Sequence, residues 1–157
     1  MFDFDPPRRL GLAVLAGVFG AAAMASAAAA QPSGGAAAAS TADVRVELNR
    51  LEPRGDACRT YLVLQNNSGA AYKSLKLDLF VFDTGGVVAQ RLAVEAGPLP
   101  AKKTSVKLFD FPGITCERFG RVLLNDVLTC EQADGTTRDD CLGVIDTASK
   151  GSVPFGK

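Results

Sequence analysis

The chain has 157 residues, 17 basic and 17 acidic side chains, and neither histidine nor tryptophan. A neutral chain whose densest basic patch is only Lys102-Lys103 with Lys107 is a poor nucleic-acid ligand, because phosphate neutralisation dominates such binding. Without histidine there is no Ser-His-Asp or Cys-His machinery and no imidazole-bound zinc.

Arg8-Arg9 leads into the apolar stretch Leu10–Met24, and alanines continue to Gln31. A charged start, an apolar run and small residues at a cut site describe a secretory signal peptide, here residues 1–30. Ala28 and Ala30 fit the small positions before a cut that leaves Gln31 as the new N-terminus; a cut after Ala27 fits nearly as well. Leu10–Ala30 is also long enough to span a bilayer, at about 20 residues. Its alanine-rich second half has little drive to stay in lipid, so membrane contact is expected only if the segment stays uncut. The twin arginines leave both the general secretory and the twin-arginine routes open. The expected location is the periplasm or outside the cell, where cysteines are read as disulfides. Removing residues 1–30 takes out Asp3, Asp5, Arg8 and Arg9, so the mature chain stays neutral. Its length suits one domain with a modest core.

Residues 31–42 (QPSGGAAAASTA) are small and patternless, a flexible tether. The β domain is expected over 43–130. Val44, Val46 and Leu48 alternate with Arg45, Glu47 and Asn49, giving a half-buried strand that ends before Pro53. Cys58–Gln65 is a second strand with Cys58, Thr60, Leu62 and Leu64 on one face, and Asn66-Asn-Ser-Gly69 is a turn. The third, Lys73–Phe82, sets Leu75, Leu77, Leu79 and Val81 opposite Lys76 and Asp78. Asp83-Thr-Gly-Gly86 returns the chain into Val87–Glu95, and Gly97-Pro-Leu-Pro100 breaks it. Lys102–Phe111 reads as a fifth strand with Thr104, Val106 and Leu108 inward, and Phe119–Cys130 holds a sixth around Arg121–Asn125. From Glu131 the chain turns polar and loop-like, so 131–157 is expected to be a disulfide-tethered tail.

No segment after the signal keeps a helical apolar period over ten residues. Short strands separated by turns point to an all-β, antiparallel sandwich of about six or seven strands, since each half-apolar sheet must cover another. Leu62–Ser68, Leu75–Asp83 and Gly86-Val-Val88 together resemble the central hairpins of small immunoglobulin-like domains of exported bacterial proteins, the FxLYD-type domains among them. The resemblance covers about a quarter of the chain. It implies an immunoglobulin-like sandwich and a binding or accessory role.

Cys58, Cys116, Cys130 and Cys141 allow three pairings. Cys130–Cys141, closing the short loop around Asp134-Gly135, is favoured, leaving Cys58–Cys116. No Cys-x-x-Cys spacing supports redox chemistry, and no spacing suits zinc.

Leu79-Phe-Val-Phe-Asp-Thr-Gly85 resembles the active-site strand of aspartic proteases, where two close carboxylates share a proton. That resemblance makes Asp83 the catalytic carboxylate of a homodimer, braced by Thr84. Phe119–Leu124 is similar to the apolar-Gly segment that packs behind that loop. Gly86 departs from the small Ser or Ala expected next, and the 34 residues between Gly85 and Gly120 are short for a substrate-covering flap. The competing reading is a hairpin turn, in which Asp bonds back to the backbone and Gly supplies positive φ.

Asp134 with Asp139-Asp140 does not fit the EF-hand spacing, and no phosphate loop leads from a strand into a helix. No cofactor and no metal is expected. Phe80 and Phe82 lie opposite the leucine face of their strand, and Phe109 and Phe111 opposite Val106 and Leu108. These four are the candidate partner surface, unless Leu142, Val144, Ile145 and Phe155 of the tail fold over them. The expected function is a non-catalytic, exported module that contacts another envelope protein or a peptide. The alternative is a dimeric aspartic-type peptidase using Asp83 from each chain.

Overall fold

The computed structural model describes residues 42–157; the signal segment and all but the last residue of the tether lie outside the described residues. The strands are β1 (Val44–Arg54), β2 (Ala57–Asn66), β3 (Tyr72–Phe82), β4 (Val88–Glu95), β5 (Thr104–Phe111), β6 (Arg121–Gln132), β7 (Ile145–Ser149) and β8 (Phe155–Gly156). A 3-10 turn at Cys116–Arg118 precedes β6, and the short helix α1 (Cys141–Val144) precedes β7.

Two four-stranded sheets form, ordered β5-β2-β1-β7 and β4-β3-β6-β8. Period-two alternation explains which faces meet. Val44, Val46 and Leu48 of β1, Leu62 and Leu64 of β2, Leu75–Val81 on alternate positions of β3, and Val122 and Leu124 of β6 enter one shared core. Burying a side chain of that size stabilises by roughly 1.5–3 kcal/mol each, so this shared core is the main favourable term.

β1 runs past its expected end and through Pro53, which pairs with Cys58. Proline is tolerated because β7 covers only Val44–Leu48, leaving the far edge of β1 unpaired by Pro53. Between Leu48 and Arg50 the register shifts by one residue at Asn49, a bulge that moves the side chains beyond it to the other face.

Three expectations are corrected. The tail is not loop throughout: α1, β7 and β8 lie in it. Both of its strands pair in parallel, β7 with β1 from Val44↔Ile145 to Leu48↔Ser149 and β8 with β6 at Val122↔Phe155. The sheets are therefore mixed rather than antiparallel, with eight strands instead of six or seven. Ile145 and Phe155 enter the main core and Leu142 packs against it, so the tail completes that core instead of building a second one.

The third correction inverts β5. Phe109 pairs with Thr60 and Phe111 with Cys58, both inward residues of β2, so Phe109 and Phe111 point in while Thr104, Val106 and Leu108 point out. A one-residue slip would exchange the faces. Two phenylalanines, each able to bury 150 Å² or more, outweigh a valine, a leucine and a threonine. Phe111 is fully buried and meets Phe119 edge to face at 5.5 Å. Lys107 is tolerated on the inward side because its Nζ reaches the carbonyl of Gly97 at 2.8 Å.

The disulfides are Cys58–Cys116 and Cys130–Cys141, the favoured pairing, with Cα separations of 4.9 and 6.4 Å inside the ordinary range. No free cysteine remains. Two such bridges point to an oxidising, non-cytoplasmic location. In the chain-entropy model the short bridge is worth about 3 kcal/mol and the long one about 4 kcal/mol. Urea denaturation is expected to show those losses in Cys130→Ser/Cys141→Ser and Cys58→Ser/Cys116→Ser respectively. Equal losses, or alkylatable thiols in the native protein, would contradict the assignment.

Candidate functional site

The solvent side of β4-β3-β6 carries the clearest concentration of contact-type side chains. β3 alternates, so once Leu75–Val81 face the core, Lys76, Asp78, Phe80 and Phe82 must face out. Register then fixes their neighbours. Phe82 stands between Val88 and Arg121, and Phe80 between Arg91 and Leu123. The Arg121 guanidinium lies over the Phe82 ring at 4.0 Å, and that of Arg91 over Phe80 at 5.4 Å. Such cation–π contacts hold aromatic rings that would otherwise be mobile on a wet face. Val87 and Val88 extend the apolar area beyond Phe82 and are among the most exposed large hydrophobics.

Beneath this surface sits a buried charge. Asp78 is only 1% exposed, although it lies on the outer face. Arg91 donates to both its oxygens, at 2.7 and 3.2 Å, and Asn125 donates at 3.0 Å. Asn125 is the extra residue where β6 shifts register between its pairings of Leu124 and Asp126, so the bulge brings this amide over the carboxylate. The Arg91 hydrogen bonds hold the Asp78 carboxyl below the usual carboxylate range against the opposing effect of burial, and Asn125 helps. Arg91 therefore spends its charge on Asp78, whereas Arg121 makes no ion pair among the described residues.

At the end of the same strands, Asp83 opens the β3–β4 hairpin. Its Oδ1 accepts from the backbone N–H of Gly85 at 2.9 Å and of Val87 at 3.0 Å. Gly86 takes φ +82°, the left-handed conformation such a turn needs. Behind the loop, Gly120 donates its N–H to Phe82 O at 2.9 Å. A Cβ on Gly120 would lie 2.2 Å from the Asp83 carbonyl oxygen. The glycine segment expected behind Asp83-Thr84-Gly85 is thus in place, while one carboxylate oxygen serves the turn.

The four phenylalanines do not share a surface, which corrects that expectation. Phe80 and Phe82 are half-exposed on one sheet. Phe111 is buried in the core and Phe109 packs against it from the other sheet. Sequence reasoning missed Arg91, Arg121, Val88 and Leu123, because only the cross-strand register puts them beside the rings. In the tail, Asp134 accepts from the Thr136 N–H at 2.9 Å and Arg138 forks onto Asp140 through Nε and Nη2, each at 2.9 Å. Arg138 also reaches Asp43 at 3.2 Å, tying the start of β1 to the short disulfide loop. Among the described residues no three His, Cys, Asp or Glu side chains gather as a metal site. A cleft of about 130 Å³ opens beside the β1 bulge; Arg50 is the one charged residue in its lining.

No protein-family model and no curated protein matches the chain. A solved structure of IrmA from Escherichia coli is similar, with 14% sequence identity and a TM-score of 0.50 over 68% of this chain and 91% of that one. At that identity the similarity is one of fold alone.

Two outcomes follow. Asp78 is depressed when folded, so its contribution is present above its unfolded value, about 3.9, and is lost as pH falls through the lower folded value. Thermal denaturation between pH 7 and 2 is expected to show a steeper acid loss for wild type than for Asp78→Asn; parallel curves would contradict this role. Gly120→Ala is expected to cost about 3 kcal/mol by forcing backbone against backbone, and a neutral result in urea would mean the loop has room.

Proposed function

We propose that the chain is an exported, non-catalytic binding or accessory module of the bacterial envelope. Its contact surface is the outer face built by Phe80, Phe82, Val88 and Leu123 with Arg121. The single observation that carries this reading is the pair of solvent-side phenylalanines, each lying under an arginine. Aromatic and arginine side chains dominate binding hot spots, since they bury much area and lose little freedom. Arg121, without an acidic partner among the described residues, suits an occupant that offers a carboxylate next to apolar side chains, an envelope protein or a peptide. The two disulfides and the two-sheet core also suit an immunoglobulin-like, FxLYD-like sandwich, delivered by a signal peptide over residues 1–30 to the periplasm or beyond.

A photocrosslinking amino acid at Val88, in cells exporting the protein, is expected to give discrete adducts that disappear in Phe82→Ser/Arg121→Glu. The same probe at Arg54, exposed on β1 of the other sheet, serves as control. Adducts that survive the double substitution would remove this surface from the proposal.

The second reading, a dimeric aspartic-type peptidase using Asp83 from each chain, is supported by Gly120 seated behind the Asp83 loop. Asp83→Asn separates the two. Asparagine keeps the oxygen that accepts from Gly85 and Val87, so in a turn the change is nearly neutral, whereas Asp83→Ala costs about 1 kcal/mol. An acid-optimum, pepstatin-sensitive peptidase activity abolished by Asp83→Asn would establish the enzyme instead.

A further inference from the structure

The outer face of β5-β2-β1 settles its charges internally. Arg59 forks onto Asp110, Arg50 and Arg54 meet Glu52, and Arg45 meets Asp146. The outer face of β4-β3-β6 does not. Lys76 and Asp126 on its strands, Arg121 at the start of β6 and Asp83 at the end of β3 make no ion pair among the described residues. Arg91 is committed to Asp78, and Glu95 turns its oxygens to Ser74, Leu75 and Gly97.

Register fixes where the four unpaired charges lie. Arg121 is level with Phe82, Leu123 with Phe80 and Asp126 with Asp78, while Lys76 lies one step further along the outer face. Asp126 reaches that face because β6 bulges at Asn125. From the hairpin end along β3, the signs run minus at Asp83, plus at Arg121, minus at Asp126 and plus at Lys76. The pattern inverts about the level of Phe80 and Leu123, where the one charge, on Arg91, is already neutralised.

We propose that the occupant of this contact surface is a second copy of the chain, an identification that rests on the surface being the contact site. The copies pack face to face with β3 antiparallel to β3, about a two-fold axis passing over Phe80 and Leu123. A two-fold interface must be complementary to itself, and a sign pattern that inverts about its centre has that property. Arg121 of each copy comes over Asp126 of the other, and Lys76 over the Asp83 turn, each twice by symmetry. Asp126 thus supplies the carboxylate that Arg121 lacks, with Leu123 and the 45% exposed Leu128 on either side of it. Phe80 and Leu123 meet their own mates, Val88 meets Ala93, and Phe82 covers the spent Asp78–Arg91 pair. Facing sheets lie about 10 Å apart with strand directions within about 30°, a gap that arginine and lysine side chains span. The alternatives oppose like charges, which disfavours a contact. Moving the axis to the level of Asp78 sets Asp126 against itself, and moving it to Phe82 does so for Arg121. Turning the axis along β3 sets both Lys76 and Asp83 against themselves.

Sedimentation of the mature, oxidised protein tests this. Wild type at about 100 μM is expected to be a dimer that weakens as salt rises, because the paired charges are exposed in the monomer. Arg121→Glu and Asp126→Arg each set like charges over one another twice, and each is expected to raise the dissociation constant at least about tenfold. An equimolar mixture of the two variants is expected to recover wild-type association, since each then offers the other an opposite charge at both places. Recovery also shows that both variants fold. A wild-type monomer at that concentration overturns the proposal, as does a dimer that either substitution leaves unchanged or a mixture no tighter than its components. Photocrosslinking at Val88 separates this from the wider reading. Adducts at twice the mature mass support the second copy, whereas adducts at other masses with a monomeric wild type keep the contact surface and remove the self-pairing.

Discussion

The orientation of β2 is the constraint on which the rest depends. Its first inward residue, Cys58, is bonded to Cys116 and pairs with Phe111, so three chain segments agree on which face of β2 looks into the core. With that face fixed, Thr60, Leu62 and Leu64 follow inward by alternation. Ladder register then dictates the faces of β1 on one side and β5 on the other. The inverted β5 is a direct result: opposite Cys58 and Thr60 there is room for two aromatic rings, and the valine and leucine that precede them on β5 are left outside. An exposed Val106 and Leu108 are the counterpart of a well-filled interior.

The second sheet answers to a different constraint, a carboxylate held out of water. Asp78 lies on the face that alternation assigns to solvent, yet it is covered by Arg91 and Asn125. Breaking a pair of this kind leaves a charge without compensation, which is costlier than never having made it. The arrangement also positions Arg91 over Phe80. One acidic residue thus organises a bulge in β6, a side chain of β4 and a ring of β3. It fixes the arrangement of side chains on this outer face.

Much of the architecture was legible because it rests on period-two alternation. The inward sides of β1, β2 and β3, the short Cys130–Cys141 bridge and the Asp83 turn are local or nearly local, and residue types there carry the signal; Cys58–Cys116 then followed by elimination. What could not be read depends on register. β5 has apolar residues on both faces, Val106 and Leu108 against Phe109 and Phe111, so its own sequence does not choose a side. The tail strands were hidden for another reason. β7 has a single large apolar side chain, Ile145, and β8 is two residues long, so both are held by backbone pairing and one anchor each. The candidate site shares this limit: Phe80 and Phe82 stand out in the chain, but Arg91, Arg121 and Val88 gain meaning only as cross-strand neighbours.

The parallel union of β1 with β7 has a consequence for how the molecule comes to exist. Val44 and Ile145 lie side by side although about a hundred residues separate them, and the final residues close the other sheet through Phe155. Contacts this distant along the chain form late and slowly, because a large loop must close before they are rewarded. A chain threaded through a pore from its amino end would hold β1 waiting, one flank bare, until Ile145–Ser149 had emerged. Native closure therefore waits on β7, and a chain folded only through β6 keeps one flank of β1 bare.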